Sequence, residues 1–189
     1  LADYYNSNYG YSNQAYNKGQ VLAGQLGYII GQENLSKTFL KFYELWKFKH
    51  PTPNDFKRVA EEVSGINLKW YFNLFINTTR TINYAIAEVN DAEIILQNKS
   101  DLAMPIDVLV EYEDGSKELF YIPLREMRGE KPAENFSIYA GVKRTTLEDW
   151  FWTNPSYTIK LNKKPKKINI DPSQRLADID SGDNSCEHF

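Results

Sequence analysis

Histidine and cysteine are nearly absent from this sequence of 189 residues. The two histidines, His50 and His188, lie far apart, and the H-E-x-x-H zinc motif is missing from the chain. Cys186 is the single cysteine, which excludes an internal disulfide and a cysteine-based zinc site. We therefore expect this chain to contain no metal ligands and to hold no cofactor of its own.

Long apolar runs and an excess of positive charge are missing as well. No run reaches the roughly 18–20 apolar residues needed to span a bilayer, so we expect no membrane segment in this chain. A net charge of −3 does not provide the basic surface that nucleic-acid binding requires, and we expect no nucleic-acid partner. The basic cluster at residues 163–167 lies between strand-like segments, and we interpret it as a solvated turn.

What the chain does contain, in its first 80 or so residues, is helical periodicity. Apolar residues recur at helical spacing over residues 15–29, 35–46, 56–63 and 68–75. Gly31 follows the first of these stripes and is expected to end that helix.

The third and fourth helices also carry end signals. Thr52 can cap the third helix, Pro53 can occupy its first position, and Asp55 suits the positive end of the helix dipole. Gly65 is expected to end this helix, and Asn67 to cap the next one.

After about Arg80 the apolar period changes from helical spacing to two. Asp114-Gly115 between two alternating runs is a strong hairpin signal. The predicted strands cover residues 82–86, 92–96, 106–112, 117–124, 157–161 and 167–170.

These patterns predict an α+β protein with two halves. Residues 1–79 would form a helical bundle, and residues 80–189 an antiparallel β-sandwich whose polar ending, from Asp171 onward, lies over the surface. The change near Thr79 is abrupt, so we expect the halves to pack directly together.

Several short motifs occur in an order that resembles a known family. Tyr16, Lys18 and Gly19 form a Tyr-x-Lys-Gly segment at the first long helix. The family-like stretches that follow are residues 48–56, 64–72, 104–108, 114–116, 152–155 and 170–173. Each motif is weak alone, but the shared order resembles the aminopeptidase N family of zinc metallopeptidases.

The resemblance implies a fold and a reaction. Residues 1–79 would be the helical end of a thermolysin-like catalytic domain, and residues 80–189 the β-sandwich that follows it. Tyr16 would be the catalytic residue, donating a hydrogen bond to the oxyanion formed during hydrolysis of a peptide's N-terminal residue. The zinc motif, the glutamate ligand and the exopeptidase loop would belong to a missing N-terminal portion, so we expect this chain to be inactive alone. The helical half would expose an apolar surface where that portion docks.

Other interpretations of these residues remain open. Tyr16 lies at the edge of the predicted buried face, among four other tyrosines, so it can equally be a packing residue with a satisfied hydroxyl. Lys18 is expected to be a surface or supporting residue, and Gly19 to permit close helix packing. His50, in a loop between helices and without a histidine partner, is expected to be structural.

The alternative function is a non-catalytic binding or scaffold module with a protein or carbohydrate partner. Exposed aromatic residues on the sandwich would supply its surface, and Trp150, Trp152 and Tyr157 are the candidates. The chain begins at Leu1 without a methionine, and we expect further sequence upstream. An H-E-x-x-H motif there favours the enzyme, and an unrelated domain favours the module.

Overall fold

A computed structural model describes residues 4–187 and has an α+β fold with the helices first and the strands second. Within these residues, no helix combines the length and the apolar character needed to cross a bilayer. The helices are α1 (Asn8–Ser12), α2 (Lys18–Ile30), α3 (Gln32–Trp46), α4 (Pro53–Ser64) and α5 (Lys69–Asn77), and a π-helical turn (Asn13–Asn17) joins α1 to α2.

The predicted helix ends at Gly31, Gly65 and Thr52 are confirmed, and the predicted cap at Asn67 is off by one residue. Gly31 and Gly65 follow α2 and α4 with positive φ angles of 86° and 71°, a region that favours glycine because it has no Cβ. At the start of α4, the Asp55 carboxylate accepts hydrogen bonds from the backbone N–H and the hydroxyl of Thr52, at 2.8 and 2.6 Å. Asn67 lies one position before the cap residue of α5, yet its side chain accepts from the N–H of Lys69 at 3.0 Å.

Two sheets make up the second half. A three-stranded sheet has the order β1-β2-β6, and a five-stranded sheet has the order β5-β4-β3-β7-β8. The strands are β1 (Tyr84–Val89), β2 (Glu93–Asn98), β3 (Ile106–Tyr112), β4 (Lys117–Ile122), β5 (Lys143–Thr146), β6 (Ser156–Lys160), β7 (Pro165–Ile170) and β8 (Ser185–Glu187).

Two of these strands depart from the sequence-based expectation. β5 pairs with β4 in parallel, so the larger sheet is mixed rather than purely antiparallel. The expected polar surface ending is wrong in part, because β8 adds to the sheet edge beside β7. Within the same ending Asp171 and Asn184 are buried. Both strands are short and rich in polar residues, so they lack the alternation that marks a half-buried strand.

The two halves share one hydrophobic core, as expected from the abrupt boundary between them. The Tyr28 hydroxyl of α2 accepts a hydrogen bond from the N–H of Asp107 in β3, at 3.1 Å. The amide of Gln25 donates to the carbonyl of Arg175 at 2.6 Å and accepts from the N–H of Ala177 at 3.1 Å. The C-terminal part of α2 is therefore anchored in the strand half, and its N-terminal part leads outward to Tyr16.

Candidate functional site

Tyr16 lies in the π-helical turn that joins α1 to α2. The N–H of Lys18 donates to the carbonyl of Asn13, five residues earlier, so the chain makes one wider turn here. Turns of this kind are rare in proteins, and those that occur are often found at functional sites. Tyr16 is 64% exposed, which places it further out than the edge position expected from regular helical spacing. Its side chain is thus accessible from solvent rather than enclosed in the core.

The nearest aromatic neighbour of the Tyr16 ring is Tyr11. The ring centroids are 5.7 Å apart and the planes are nearly perpendicular, and the Tyr5 ring lies 5.8 Å from the Tyr11 ring. A side-chain hydrogen bond with Tyr16 raises the pKa of Tyr11, and the neighbouring charge adds to this effect. Tyr11 therefore contacts the Tyr16 side chain without covering it.

Lys18 and Gly19, the other residues of the Tyr-x-Lys-Gly segment, lie beside α5. The Lys18 ammonium donates to the carbonyl of Thr78 at 3.3 Å and lies 5.6 Å from the centre of the Phe75 ring. This agrees with the supporting role expected for Lys18. The packing role expected for Gly19 is wrong, because a Cβ at this position would meet no atom within 4 Å.

The helical half carries many exposed apolar side chains, as expected from the resemblance. They form a set that we call the helical apolar surface, although surface residues of this type occur singly in many proteins. The members are Val21, Phe39, Leu40, Tyr43, Leu45, Phe48 and Ile76. Most of them belong to α3 or directly follow it.

The histidines and the cysteine form no metal site in the described part of the chain. His50 is exposed between α3 and α4, and His188 lies outside the described residues. Cys186 is half-buried in β8, opposite Ile168, rather than in a loose tail. Among residues 4–187, no group of three or more histidine, cysteine, aspartate or glutamate side chains is arranged to hold a metal ion.

The basic cluster covers the turn before β7 and the first residues of that strand, and its lysines are paired with acidic side chains. Lys163 contacts Asp114, the aspartate of the Asp-Gly hairpin turn, at 2.6 Å. The other pairs join Lys164 to Glu113, Lys166 to Glu111 and Lys167 to Glu187. The expected solvated turn is therefore correct only for Lys163 and Lys164, because Lys166 and Lys167 belong to β7 and pair with acidic side chains there.

The three aromatic residues proposed for a binding surface have different environments. Trp150 is buried at 3% exposure, packs edge-on against Tyr84, and donates from its indole N–H to the carbonyl of Asn154 at 2.8 Å. Tyr157 is half-buried, and its hydroxyl donates to the carbonyl of Glu148. Trp152 is 60% exposed. The three side chains thus do not form one common platform, and only Trp152 remains available.

A buried set of charged side chains was not predicted from the sequence. Asp107 and Glu134 contact the Lys131 ammonium at 2.6 and 3.3 Å, and Arg175 donates to both oxygens of Glu134, at 3.1 and 2.6 Å. Lys131 also lies 4.3 Å from the centre of the Tyr28 ring. Because each charge has a partner of opposite sign, this network is suited to bracing α2 against the strand half.

Comparison with known proteins adds no relationship to this picture. No protein-family model matches the chain, and the search of curated proteins found no match.

Proposed function

We propose that this chain is the C-terminal portion of an aminopeptidase N-like zinc metallopeptidase. Residues 1–79 would end a thermolysin-like catalytic domain as part of a helical bundle, and residues 80–189 would be the β-sandwich that follows. The observation that supports this most directly is the position of Tyr16, which is exposed on a π-helical turn within the Tyr-x-Lys-Gly segment.

The role proposed for Tyr16 is electrostatic. When water attacks a peptide carbonyl, negative charge develops on the carbonyl oxygen, and a positioned hydroxyl can stabilise it by donating a hydrogen bond. Phenols have an ordinary pKa of about 10 and keep their proton at neutral pH, so they are suited to donation rather than to proton transfer. The edge-on contact with Tyr11 would limit the orientations of the Tyr16 ring.

The zinc ion and its ligands belong, in this proposal, to the missing N-terminal portion. The described residues do not themselves fit a zinc site, since no suitable group of side chains is present among them. We propose that the missing portion covers the helical apolar surface, and that peptides bind only to the joined protein. The chain alone would then have no peptidase activity and would hold no zinc.

The test uses the protein with its upstream sequence restored. Tyr16→Phe should lower kcat by about 10²–10³, the usual cost of losing one oxyanion donor, with unchanged zinc content and unfolding temperature. Tyr9→Phe is the matched control, because Tyr9 is a comparably exposed tyrosine one helical segment earlier and should leave kcat unchanged.

Two results would remove the proposal. One is near-normal turnover of the Tyr16→Phe protein when its zinc content and folding are intact. The other is an upstream sequence that encodes an unrelated domain or a degraded zinc motif.

The second candidate function is a non-catalytic binding or scaffold module. It is favoured by Trp152, whose indole ring is largely exposed to solvent and does not pack in the core. This candidate expects the complete protein to lack peptidase activity toward every peptide amide tested, whereas the first expects activity that depends on Tyr16.

A further inference from the structure

A cleft lies between α5 and the strand half, and Tyr16 is not part of its lining. Its volume is about 540 Å³, within the range of about 300–1,000 Å³ typical of small-molecule sites. Helix α5 forms one wall, the connection between β2 and β3 forms the second, and the residues after β4 together with Trp152 form the third. Both apolar and polar side chains line it.

Two indole rings supply flat apolar surface in this cleft. Trp70 is held in place, because its ring N–H donates to the carbonyl of Asn67 at 3.0 Å and its ring packs edge-on against Tyr71. Trp152 lies at the cleft with most of its surface in solvent. Leu74 and Leu124 extend the apolar lining. A ligand with an apolar face would gain contact area on these rings.

Three polar side chains of the lining have unused hydrogen-bonding capacity. Within residues 4–187, no side-chain hydrogen bond or ion pair engages the Asn73 amide, the Asp101 carboxylate or the Glu126 carboxylate. By contrast, Asn98 and Ser100 bond to each other at 3.1 Å. One oxygen of Glu126 is buried without a hydrogen-bond partner, and Glu126 lies in the lining of the cleft. These groups therefore suit a ligand that brings several hydrogen-bond donors.

The charges of the lining limit the kind of ligand. Asp101 and Glu126 carry negative charge, and the Arg80 guanidinium, which donates to the Asp101 carbonyl at 3.1 Å, offsets one of them. The two carboxylates would repel an anion, and because Arg80 offsets one of them, a ligand needs no full positive charge to bind here. A neutral ligand with hydroxyl groups can donate to the carboxylates and accept from Asn73 and Arg80.

We propose that this cleft binds a neutral saccharide. The C–H face of a pyranose ring would stack on Trp152, and its hydroxyls would donate to Asp101 and Glu126. The cleft is large enough for one or two sugar rings. The proposal does not rest on the role of Tyr16, so a failed peptidase assay would leave it intact.

The test is calorimetric titration of the purified chain with maltose, cellobiose, lactose and N,N′-diacetylchitobiose. At least one of these disaccharides should bind with a Kd of about 1 mM or tighter. Trp152→Ala should weaken that binding about 10-fold, whereas Trp152→Phe should retain most of it because the aromatic face remains. Glu126→Gln tests the acceptor, and it should also weaken binding, since an amide keeps only one acceptor oxygen.

Phe48→Ala is the matched control, because Phe48 is a fully exposed aromatic residue outside the cleft. It should leave the Kd unchanged, and thermal melts should show each variant folded. The proposal is overturned if none of the four disaccharides binds. It is equally overturned if Trp152→Ala binds as tightly as the unmodified chain, or if benzylamine binds at Trp152 more tightly than every disaccharide.

Discussion

The Lys131 ammonium donates to a carboxylate oxygen of Asp107 at 2.6 Å, in an interior where both side chains are only 2% exposed. Asp107 belongs to β3, and its own backbone N–H donates to the Tyr28 hydroxyl of α2. The charged pair and the link between the two halves therefore meet at one residue. Since a buried charge is costly without its partner, this position should be sensitive to the loss of either charge.

Replacing Lys131 with methionine should destabilise the fold strongly. The apolar side chain has a similar length but leaves Asp107 buried without its positive partner, and such losses cost about 3–5 kcal/mol. The free energy of unfolding from urea denaturation would measure the effect. Lys37→Met is the control, because Lys37 forms an exposed pair with Glu33 that should contribute about 0.5 kcal/mol or less. Equal stability of the two variants would show that Lys131 does not serve this bracing role.

Glu134 should make part of the fold's stability depend on pH. Burial acts to raise the pKa of Glu134, but the hydrogen bonds from Arg175 and the charge of Lys131 outweigh it, so the pKa lies below its ordinary value of 4.5. A depressed pKa adds stability above the ordinary value, and this stability is lost as the pH falls through the folded-state pKa. Glu134→Gln should therefore flatten the fall in unfolding free energy below about pH 4.5.

Asp171 should give the opposite pH dependence of stability to Glu134. Burial raises the pKa of Asp171 above its ordinary value of 3.8, so its contribution is present at lower pH and is lost as the pH rises through the folded-state pKa. Urea denaturation across pH 3–6 would separate the two effects in the Glu134→Gln and Asp171→Asn proteins. Glu44→Gln, at an exposed position of α3, is the control. An unchanged pH profile for Glu134→Gln would contradict the expectation.

The contact between Tyr11 and Tyr16 can be tested by titration. Because a hydrogen bond with Tyr16 raises the pKa of Tyr11, Tyr16→Phe should move the Tyr11 pKa down toward its ordinary value of 10. Nuclear magnetic resonance of ring-labelled tyrosine would follow Tyr11 in the intact and the substituted chain. As a control, Tyr9→Phe should leave the pKa of Tyr11 unchanged. If Tyr16→Phe also leaves the pKa of Tyr11 unchanged, the hydroxyls of Tyr11 and Tyr16 do not interact.

The local signals in the sequence were sufficient for most element positions. Gly31, Gly65 and the Thr52–Asp55 pair act over a few residues, so their effect can be read without knowing the tertiary structure. The alternation of apolar and polar residues predicted β3 and β4, and the two strands pair as a hairpin around Asp114-Gly115. These elements were predicted because short-range geometry determines them.

Long-range contacts determine what the sequence did not reveal. β5 and β8 are polar strands at the two edges of the larger sheet, and only pairing with β4 and β7 makes them strands. Lys131 pairs with Asp107, far away in the sequence, and with Glu134, which also binds Arg175. No pattern in the sequence predicts this set of contacts. At Tyr16, the π-helical turn shifts the helical phase, so regular spacing placed its side chain too close to the core.

Two glycines of α2 should respond to alanine in opposite directions. At Gly19 an added Cβ meets no atom within 4 Å, so Gly19→Ala should stabilise the fold by about 0.5–1 kcal/mol through the better helix propensity of alanine. At Gly27 the same Cβ would lie 2.9 Å from a methyl group of the buried Leu35 and 3.1 Å from the Gln32 side-chain oxygen. There the crowding between α2 and α3 should outweigh propensity and destabilise the fold by about 1–3 kcal/mol.

Because the two glycines lie on the same helix, each variant serves as the control for the other. Urea denaturation of both proteins would give the sign directly, and their difference should reach about 1.5 kcal/mol or more. Gly27→Ala as stable as Gly19→Ala would mean that α3 can move away from α2 at little cost. A loss of stability in Gly19→Ala would instead mean that this face of α2 is covered, which would restore the packing role first expected for Gly19.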